Sequence, residues 1–352
     1  MNEYDIAIVG AGPAGATLAR LLADNYKIVL IDRGKSKCCG GLLAPQAQEV
    51  IATLGLTLPN SVPVGPQLSS VFVQDFDSGL SRHYPKNYIN MDRNLFDAWL
   101  LSLVPSNVQQ LIPAQYLRCE PVDSSGNLTV HINQNETETT FRTKILIGAD
   151  GAFSIVRRQF IPEHRDRQMY LAIQHWFETD EPPKSFGAAF DREITDYYSW
   201  TIPKGNRLIV GAAIPARSQP KQRFELLLKK LGETYSLKNE IFRESSQIVR
   251  PMSREAICPI CPNQPIALIG EAAGWISPSS AEGISYAFKT ANILAKTLKS
   301  GSDNFQARYT QELSGLYWDI FAKNVKKIGM YTGFIRKTIF QSGLFSVPPP
   351  DR

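Results

Sequence analysis

The chain of 352 residues contains no run of about 18 apolar residues, so the sequence predicts no membrane-spanning helix. Its four histidines and five cysteines do not group at metal-ligand spacing, and we expect no bound metal. Lys and Arg number 38 against 33 for Asp and Glu, and no RNA or DNA module is recognisable, so nucleic acid is not an expected partner. An odd cysteine count and an N-terminus without a basic segment predict a cytoplasmic location.

The N-terminal segment carries the strongest pattern in the chain. An apolar strand over residues 4–9 leads into Gly10-Ala11-Gly12-Pro13-Ala14-Gly15, a helix over 16–23 and a second buried strand over 27–31 that ends at Asp32. In such a βαβ unit the first glycine turns the chain, the second lets the backbone approach a pyrophosphate, and the third lets helix and strand pack closely. The free N–H groups of the helix favour phosphate, and Asp32 would accept hydrogen bonds from a ribose. This pattern predicts dinucleotide binding without distinguishing FAD from NAD.

Two further glycine-rich turns follow in an order that resembles a known family. They are Gly148-Ala149-Asp150-Gly151 and Gly270-Glu271-Ala272-Ala273-Gly274, the latter followed by Glu282-Gly283-Ile284. With the first turn, they resemble flavoproteins of the p-hydroxybenzoate-hydroxylase type, and most closely the geranylgeranyl reductase family. Cys39-Gly40-Gly41 resembles the cysteine-glycine segment of these reductases. Tyr198-Ser199-Trp200-Thr201-Ile202-Pro203 resembles their Y-x-W-x-F-P segment, with Ile202 in place of Phe.

The resemblance implies an α/β fold with a Rossmann-like FAD-binding domain, an inserted antiparallel β-sheet domain and a C-terminal helical region. We expect a discontinuous FAD-binding domain over 1–65, 91–168 and 256–300, and a substrate-binding sheet domain over 66–90 and 169–255. Residues 301–352 would form the helical region. Within the sheet domain, Lys204-Gly205-Asn206 reads as the turn of a hairpin.

The resemblance also implies FAD as the cofactor and assigns residues to it. The expected FAD-binding residues are Gly10, Gly12, Pro13, Ala14, Gly15, Asp32, Arg33, Cys39, Gly40, Gly41, Arg93, Asp150, Gly151, Gly270, Glu271, Ala272, Gly283 and Ile284. Glu271 departs from the aspartate usual in the family, and the helix after Gly283 would direct its positive end at the flavin pyrimidine. The alternative to a cofactor contact is an ordinary Asp-Gly turn for Asp150-Gly151. For Arg93 the alternative is a solvated surface arginine.

The expected substrate side consists of one cysteine and a group of strand residues. Cys39 would be the catalytic thiol, with an inert buried cysteine as the alternative. The expected substrate-binding residues are His175, Tyr198, Trp200 and Pro203. They would line one side of an apolar substrate tunnel, and the alternative is that they form an ordinary hydrophobic core. Cys258 and Cys261 have C-x-x-C spacing, but neither a second pair nor a redox fold surrounds them.

The family reading predicts an FAD-dependent oxidoreductase that reduces C=C bonds of an isoprenoid or another long apolar molecule. A monooxygenase or halogenase is the main alternative, because halogenases carry a W-x-W-x-I-P segment; their V-G-E-S segment has no match here. A flavin-binding membrane-associated protein without turnover is a third reading. The sequence contains one G-x-G-x-x-G, so it offers no second dinucleotide-binding domain for NADPH. The expected reductant is therefore NAD(P)H that docks transiently, or a protein electron donor.

Residues 320–340 contain five cations and no acid, interleaved with apolar residues. The cations are Lys323, Lys326, Lys327, Arg336 and Lys337. Such a basic amphipathic helix predicts peripheral contact with the inner face of a membrane. The alternative is a helix packed on the protein with a solvated basic face.

Overall fold

The computed structural model describes residues 2–161, 167–251 and 253–348. Residues 1, 162–166, 252 and 349–352, which fall within the domains expected from the sequence, lie outside the described residues. The chain forms two compact units. The first unit consists of Met1–Ser36, Phe96–Arg167 and Val249–Ala322, and the second of Lys37–Leu95, Gln168–Ile248 and Lys323–Arg352.

The secondary structure alternates between the two units along the chain. The strands are β1 (Glu3–Val9), β2 (Ile28–Ile31), β3 (Leu42–Leu43), β4 (Leu68–Asp75), β5 (Leu80–Asn90), β6 (Gln109–Leu111), β7 (Gln115–Glu120), β8 (Leu128–Gln134), β9 (Thr137–Gly148), β10 (Arg167–Glu178), β11 (Phe186–Phe190), β12 (Ser199–Lys204), β13 (Arg207–Pro215), β14 (Glu240–Pro251), β15 (Ile260–Cys261) and β16 (Ile266–Leu268). The helices are α1 (Pro13–Leu22), α2 (Pro45–Thr53), α3 (Arg93–Ser102), α4 (Ile155–Phe160), α5 (Pro220–Gly232), α6 (Ile284–Lys299), α7 (Phe305–Glu312), α8 (Ser314–Tyr331) and α9 (Gly333–Ser342). None of these helices is long and apolar enough to cross a bilayer, within the described ranges.

The first unit is built on a sheet with the strand order β15-β16-β9-β1-β2-β6. From β16 to β6 the neighbouring strands are parallel, and their apolar side chains are buried on both faces, as in β1 and β2. Strand β9 also pairs with β8 in an antiparallel hairpin and continues without a break to Gly148. Helices α1 and α6 pack against each other.

The second unit is built on a sheet with the strand order β14-β10-β13-β12-β11-β4-β5-β3. The expected hairpin between β12 and β13 is present, with Lys204 paired to Arg207 at its end. Helix α5 covers one face of this sheet, where Phe224 and Leu227 pack on Phe177, Leu208 and Val210. Burial of these apolar side chains holds α5 to the sheet.

The unit boundaries differ from the expected domains. Residues 37–65 belong to the second unit, because Leu42 and Leu43 of β3 pair with β5. The C-terminal region does not form a unit of its own: it is divided at residue 322. Short apolar segments such as β3 acquire a sheet only through a distant partner, which local periodicity does not reveal.

The basic segment over 320–340 also differs from expectation. It is two helices rather than one, because α8 ends at Tyr331 and α9 begins at Gly333. Arg336 does not belong to a solvated basic face: its guanidinium is buried and pairs with Asp75 at 2.8 Å and Asp77 at 2.9 Å. The sequence showed no nearby acid, because these acids lie more than 250 positions earlier in the chain.

Candidate functional site

The parallel strands of the first unit end together at one edge of their sheet. Val9 of β1 pairs with Ile31 of β2 and with Gly148 of β9, and Gly148 pairs with Leu268 of β16. The residues that follow these strand ends therefore meet at the carboxyl edge, where open α/β sheets bind ligands. All three glycine-rich turns expected from the sequence begin there.

The first turn is packed so closely that only glycine fits at two of its positions. A Cβ on Gly10 would lie 2.4 Å from the carbonyl oxygen of Ala149, and a Cβ on Gly15 would lie 1.8 Å from that of Gly10. Gly12 is different, because a Cβ there meets nothing within 4 Å. Open space therefore lies beside Gly12, at the start of a helix whose first residue is Pro13 and whose N-terminus has no side-chain cap.

Asp32 stands at the end of β2 and is held by two backbone amides. Its carboxylate accepts N–H bonds from Ala11 at 2.8 Å and from Gly34 at 2.7 Å. These bonds orient the carboxylate on the same edge as the glycine turn, which suits contact with a ribose. The side chain of the neighbouring Arg33 is exposed.

Asp150 lies beyond the end of β9 and accepts hydrogen bonds from the first turn of α4, whose N-cap residue is Ser154. Its Oδ2 accepts the N–H groups of Ile155 at 2.7 Å and Val156 at 3.4 Å, whereas its Oδ1 is buried without a hydrogen-bond partner among the described residues. Desolvation raises the pKa of Asp150, although Ser154 and these backbone amides partly oppose the shift. Gly151 follows with a φ of +76°, which favours glycine. Oδ1 is an acceptor open to a ligand hydroxyl or amide.

Arg157 joins two of the turns, a role that the sequence did not indicate. Its buried guanidinium donates to the carbonyl of Ala272 at 2.7 Å and to that of Ala152 at 2.9 Å. Desolvation lowers the pKa of Arg157, while Asp150 opposes that shift. A single arginine in a six-residue helix carries no pattern by which sequence reasoning could find it.

The third turn and the start of α6 lie after β16. Gly270 has a φ of +56°, and its N–H donates to the hydroxyl of Thr290 at 2.9 Å. Glu271 and Ala272 continue it as a short 3-10 turn, with Glu271 half-buried.

Gly283 caps α6 and Ile284 begins it, at the expected residues. The carboxylate of Glu282 accepts the N–H of Ser285 at 2.7 Å and its hydroxyl at 2.6 Å. This carboxylate partly offsets the positive end of the α6 dipole. That this helix end faces a flavin pyrimidine stays a prediction.

In the second unit, the Cys39-Gly40-Gly41 loop lies against one face of the sheet. A Cβ on Gly40 would lie 2.3 Å from Cδ1 of Ile202, and a Cβ on Gly41 would lie 2.3 Å from the carbonyl of Met91. Cys39 is half-buried, and its sulfur accepts the N–H of Gly41 at 3.5 Å. The glycines thus allow the thiol-bearing loop to approach the strand closely.

Trp200 belongs to a hydrogen-bond network on the same face. Its Nε1 donates to Oε1 of Gln174 at 3.0 Å, and Nε2 of Gln174 lies 3.0 Å from the sulfur of Cys38 and 3.2 Å from Glu244. Desolvation, followed by the charge of Glu244, raises the pKa of Cys38 to about 12, so Cys38 is a thiol at neutral pH. Gly211 provides the room for the indole, since a Cβ there would lie 2.3 Å from Nε1 of Trp200. Gln174, Cys38 and Glu244 were not among the expected site residues.

Lys204 anchors the cysteine-glycine loop and was also missed. Its buried ammonium donates to the carbonyls of Gly41 at 2.9 Å and Met91 at 2.6 Å. Desolvation lowers the pKa of Lys204 to about 8, against the opposing effects of Cys39 and Asp92. The sequence placed this lysine in a hairpin turn, where a charged side chain is ordinarily solvated. Its position two residues after Ile202 puts it on the same strand face as Ile202.

His175 and Pro203 do not share the face of Trp200, which corrects the expected tunnel floor. Gln174 and Trp200 both pair with Gly211, whereas His175 pairs with Val210. Residues paired across antiparallel strands share a face, so His175 points to the other side. There its ring centroid lies 4.6 Å from that of Phe224 of α5. Pro203, paired with Leu208, faces the same way as His175.

Two other expected residues in the second unit have clear positions. Tyr198 directly precedes β12, and its ring centroid lies 5.5 Å from that of Trp200, as expected for neighbours on one face. Desolvation raises the pKa of Tyr198 well above 10. Arg93 is the first residue of α3, and Asp92 caps that helix by accepting the N–H groups of Asn94 and Leu95.

The remaining cysteines form no bond with one another. All five cysteines are free, including Cys258 and Cys261. Desolvation raises the pKa of Cys261, which argues against a reactive thiolate. Within the described ranges, no three His, Cys, Asp or Glu side chains come together to hold a metal ion.

The carboxyl edge of the first unit defines the class of protein. A family model described as an NAD(P)-binding Rossmann-like domain matches residues 8–74, which include the first glycine turn and Asp32. Together they define a dinucleotide-binding α/β protein. Protein CbrA of Escherichia coli O157:H7 is 37% identical over 356 residues, covering 99% of each chain. The chain belongs to the CbrA family.

Solved structures confirm the expected fold class. A geranylgeranyl bacteriochlorophyll reductase-like protein from Thermoplasma acidophilum superposes with a TM-score of 0.83 at 18% identity, covering 97% of this chain and 91% of that one. PqsL, a probable FAD-dependent monooxygenase from Pseudomonas aeruginosa, has a TM-score of 0.73 at 18% identity, covering 97% and 99%. The flavin-dependent halogenase CmlS has a TM-score of 0.73 at 15% identity, covering 100% and 69%. The fold is the flavoprotein fold that the motifs predicted.

Proposed function

We propose that this protein is an FAD-dependent oxidoreductase that reduces C=C bonds of an isoprenoid or another long apolar molecule. The observation that carries the proposal is the meeting of three glycine-rich turns at the carboxyl edge of the first sheet. The cysteine-glycine segment and the Tyr198–Pro203 segment resemble those of geranylgeranyl reductases, with Ile202 in place of Phe, and this supports a reductase. The fold shared with the reductase-like protein supports it as well.

The residues at this edge fit the adenine-dinucleotide part of FAD. The free space beside Gly12 and the N–H groups of Ala14 and Gly15 at the start of α1 suit a pyrophosphate. Asp32, held by Ala11 and Gly34, suits a ribose. The buried Oδ1 of Asp150 is a further open acceptor for a hydroxyl or amide of the cofactor. Arg157 would keep the second and third turns in place around it.

Bound as the reduced form, FAD supplies a hydride to carbon. In this proposal Cys39 donates the balancing proton, and Tyr198 and Trp200 orient the apolar chain. Cys38 and Cys39 are both half-buried, but the sulfur of Cys38 lies 3.0 Å from Nε2 of Gln174 and its pKa is raised to about 12, so Cys38 keeps its proton. NAD(P)H or a protein electron donor would reduce the flavin, because the sequence contains one G-x-G-x-x-G. A cytoplasmic location is part of the same proposal.

An FAD-dependent monooxygenase or halogenase is the second candidate. Its specific support is the fold shared with PqsL and CmlS, both at a TM-score of 0.73. The two reactions differ in their need for oxygen and in the mass of the product. Those differences decide between them.

The test is turnover of a cell lipid extract by the reduced holoprotein, once without O₂ and once with it, followed by mass spectrometry. A gain of two hydrogens without O₂ is the expected result. A gain of oxygen or halogen that requires O₂ would replace the reductase by the second candidate. Protein that binds FAD but changes no lipid under either condition would instead support the flavin-binding protein without turnover. The Gly12→Val variant, expected to lack flavin, is the matched blank.

A further inference from the structure

Lys204 is a buried cation to which the proposed reaction gives no role. The residue is 8% exposed and lies on the face of β12 that also carries Ile202. Its Nζ donates to the carbonyl of Gly41 at 2.9 Å and to that of Met91 at 2.6 Å. Because an ammonium group has three N–H bonds, one donor remains beside the two that these carbonyls use.

The loop that Lys204 holds also carries the thiol of Cys39. The sulfur of Cys39 accepts the N–H of Gly41 at 3.5 Å, while the carbonyl of the same glycine accepts from Lys204. A Cβ on Gly41 would lie 2.7 Å from Nζ of Lys204, so the ammonium packs directly against this glycine. The thiol and the ammonium thus both contact Gly41 and are neighbours in the same unit.

The electrostatics around Lys204 agree with this geometry. Desolvation lowers the pKa of Lys204 to about 8, and the charge of Cys39 opposes this shift more than that of Asp92 does. Two other titratable groups, Cys38 and Tyr198, interact with Cys39. Desolvation raises the pKa of Cys38 to about 12 and that of Tyr198 well above 10, so both stay neutral near pH 7. Lys204 is therefore the cation of this group.

We propose that Lys204 is a positioning residue that pairs with the thiolate of Cys39 and returns its proton. This role rests on the proposed function, in which the S–H bond of Cys39 breaks as the proton goes to carbon. Lys204 then donates the proton of its third N–H to the sulfur, so that the S–H bond forms again and the ammonium becomes a neutral amine. Desolvation favours that neutral amine at this buried position. The amine afterwards takes a proton from water, which completes the cycle.

Alkylation of the full-length protein by iodoacetamide tests the pair without turnover. A thiolate displaces iodide and forms an S–C bond, and peptide fragmentation in the mass spectrometer reports Cys38 and Cys39 separately. We expect Lys204→Met to slow the alkylation of Cys39 about tenfold near pH 7, because the thiolate loses its cation. The ratio between the unaltered protein and Lys204→Met should fall toward one as the pH rises to about 10, since Lys204, with a pKa of about 8, then loses its charge.

Lys204→Arg gives a second comparison, which does not require Lys204→Met to fold. Arginine keeps its charge over this pH range, so the unaltered protein should fall behind Lys204→Arg toward the alkaline end. Lys221→Met is the matched control, because Lys221 is an exposed lysine of α5, and this variant should react like the unaltered protein. Cys38 is the internal control and should react slowly in every variant near pH 7.

Two results would overturn the proposal. One is alkylation of Cys39 in Lys204→Met that is as fast as in the unaltered protein or faster; a simultaneous rise at Cys38 would show that Lys204 only anchors the loop. The other is a ratio between the two proteins that does not change with pH. Alkylation needs neither substrate nor turnover, so failure of the pair is distinguishable from failure of the proposed reaction, which is measured by lipid mass.

Discussion

Gly12 and Gly15 should respond to substitution in opposite ways, although both belong to the same turn. At Gly12 the φ is −69° and a Cβ meets nothing within 4 Å. Gly12→Val should therefore leave the free energy of unfolding of the cofactor-free protein within about 1 kcal/mol. In the proposed function, the new side chain would fill the space that the pyrophosphate takes. Loss of about two charge-assisted hydrogen bonds, at roughly 1.5–3 kcal/mol each, corresponds to an affinity for FAD about 100-fold or more weaker.

At Gly15 the added Cβ would lie 1.8 Å from the carbonyl oxygen of Gly10 and 3.3 Å from Cβ of Ala149. The backbone of Gly10 must move, so Gly15→Ala should destabilise the fold itself by about 3 kcal/mol or more. Urea denaturation of cofactor-free protein and the flavin absorbance of purified protein separate the two effects. A Gly12→Val protein that keeps its full yellow absorbance would refute the reasoning. So would a Gly12→Val protein that unfolds as readily as Gly15→Ala.

Three other substitutions, one of them with a matched control, test the second unit. Arg336→Met should lower the free energy of unfolding, measured by urea denaturation, by about 3–5 kcal/mol, because the carboxylate of Asp75, whose side chain is 1% exposed, loses its cationic partner. Arg192→Met is the control: it removes an 81% exposed partner of Asp77 and should lower the free energy of unfolding by less than about 1 kcal/mol. Equal losses for the two variants would contradict the burial argument. Lys204 has a pKa of about 8 when folded and 10.5 when unfolded, so the unfolded chain binds more protons between these values. Unfolding free energy should therefore rise with pH by up to about 3 kcal/mol relative to Lys204→Met, and parallel pH profiles would show that Lys204 does not titrate this way. Trp200→Phe removes the bond to Gln174 and should lower turnover about tenfold at unchanged flavin content, whereas lost flavin or lost fold would mark Trp200 as a core residue.

The elements that local pattern can specify were predicted well. The glycine turn, the position of Asp32 at the end of β2 and the start of α6 at Ile284 all follow from residue types at short spacing. Their physical basis is local: a turn needs glycine, and a helix N-terminus needs a cap. The same reasoning put His175 and Trp200 in one pocket, which was wrong. Alternation along a strand determines which of its own residues share a face. Which residues of two different strands share a face depends on the pairing register, which the sequence did not reveal.

The residues that sequence reasoning missed act over long distances in the chain. Arg157 bonds Ala272, Lys204 bonds Gly41, and Arg336 bonds Asp75. A buried cation is stable only where hydrogen-bond acceptors or acids surround it, and no residue spacing in the sequence predicts which ones those are. The exposure of Trp318 and Phe321 belongs with them, because an apolar stripe at helical spacing is ordinarily read as a buried face.

The amino-acid sequence alone was sufficient for the dinucleotide turn, the flavoprotein fold and the absence of a long apolar span, because these depend on glycine, apolar periodicity and composition. Only the tertiary structure decided the partners of the buried cations, the face on which each strand residue lies and the side that α8 turns to solvent. These properties depend on which distant segments pack together, and a side chain's neighbours rather than its identity set its burial and charge.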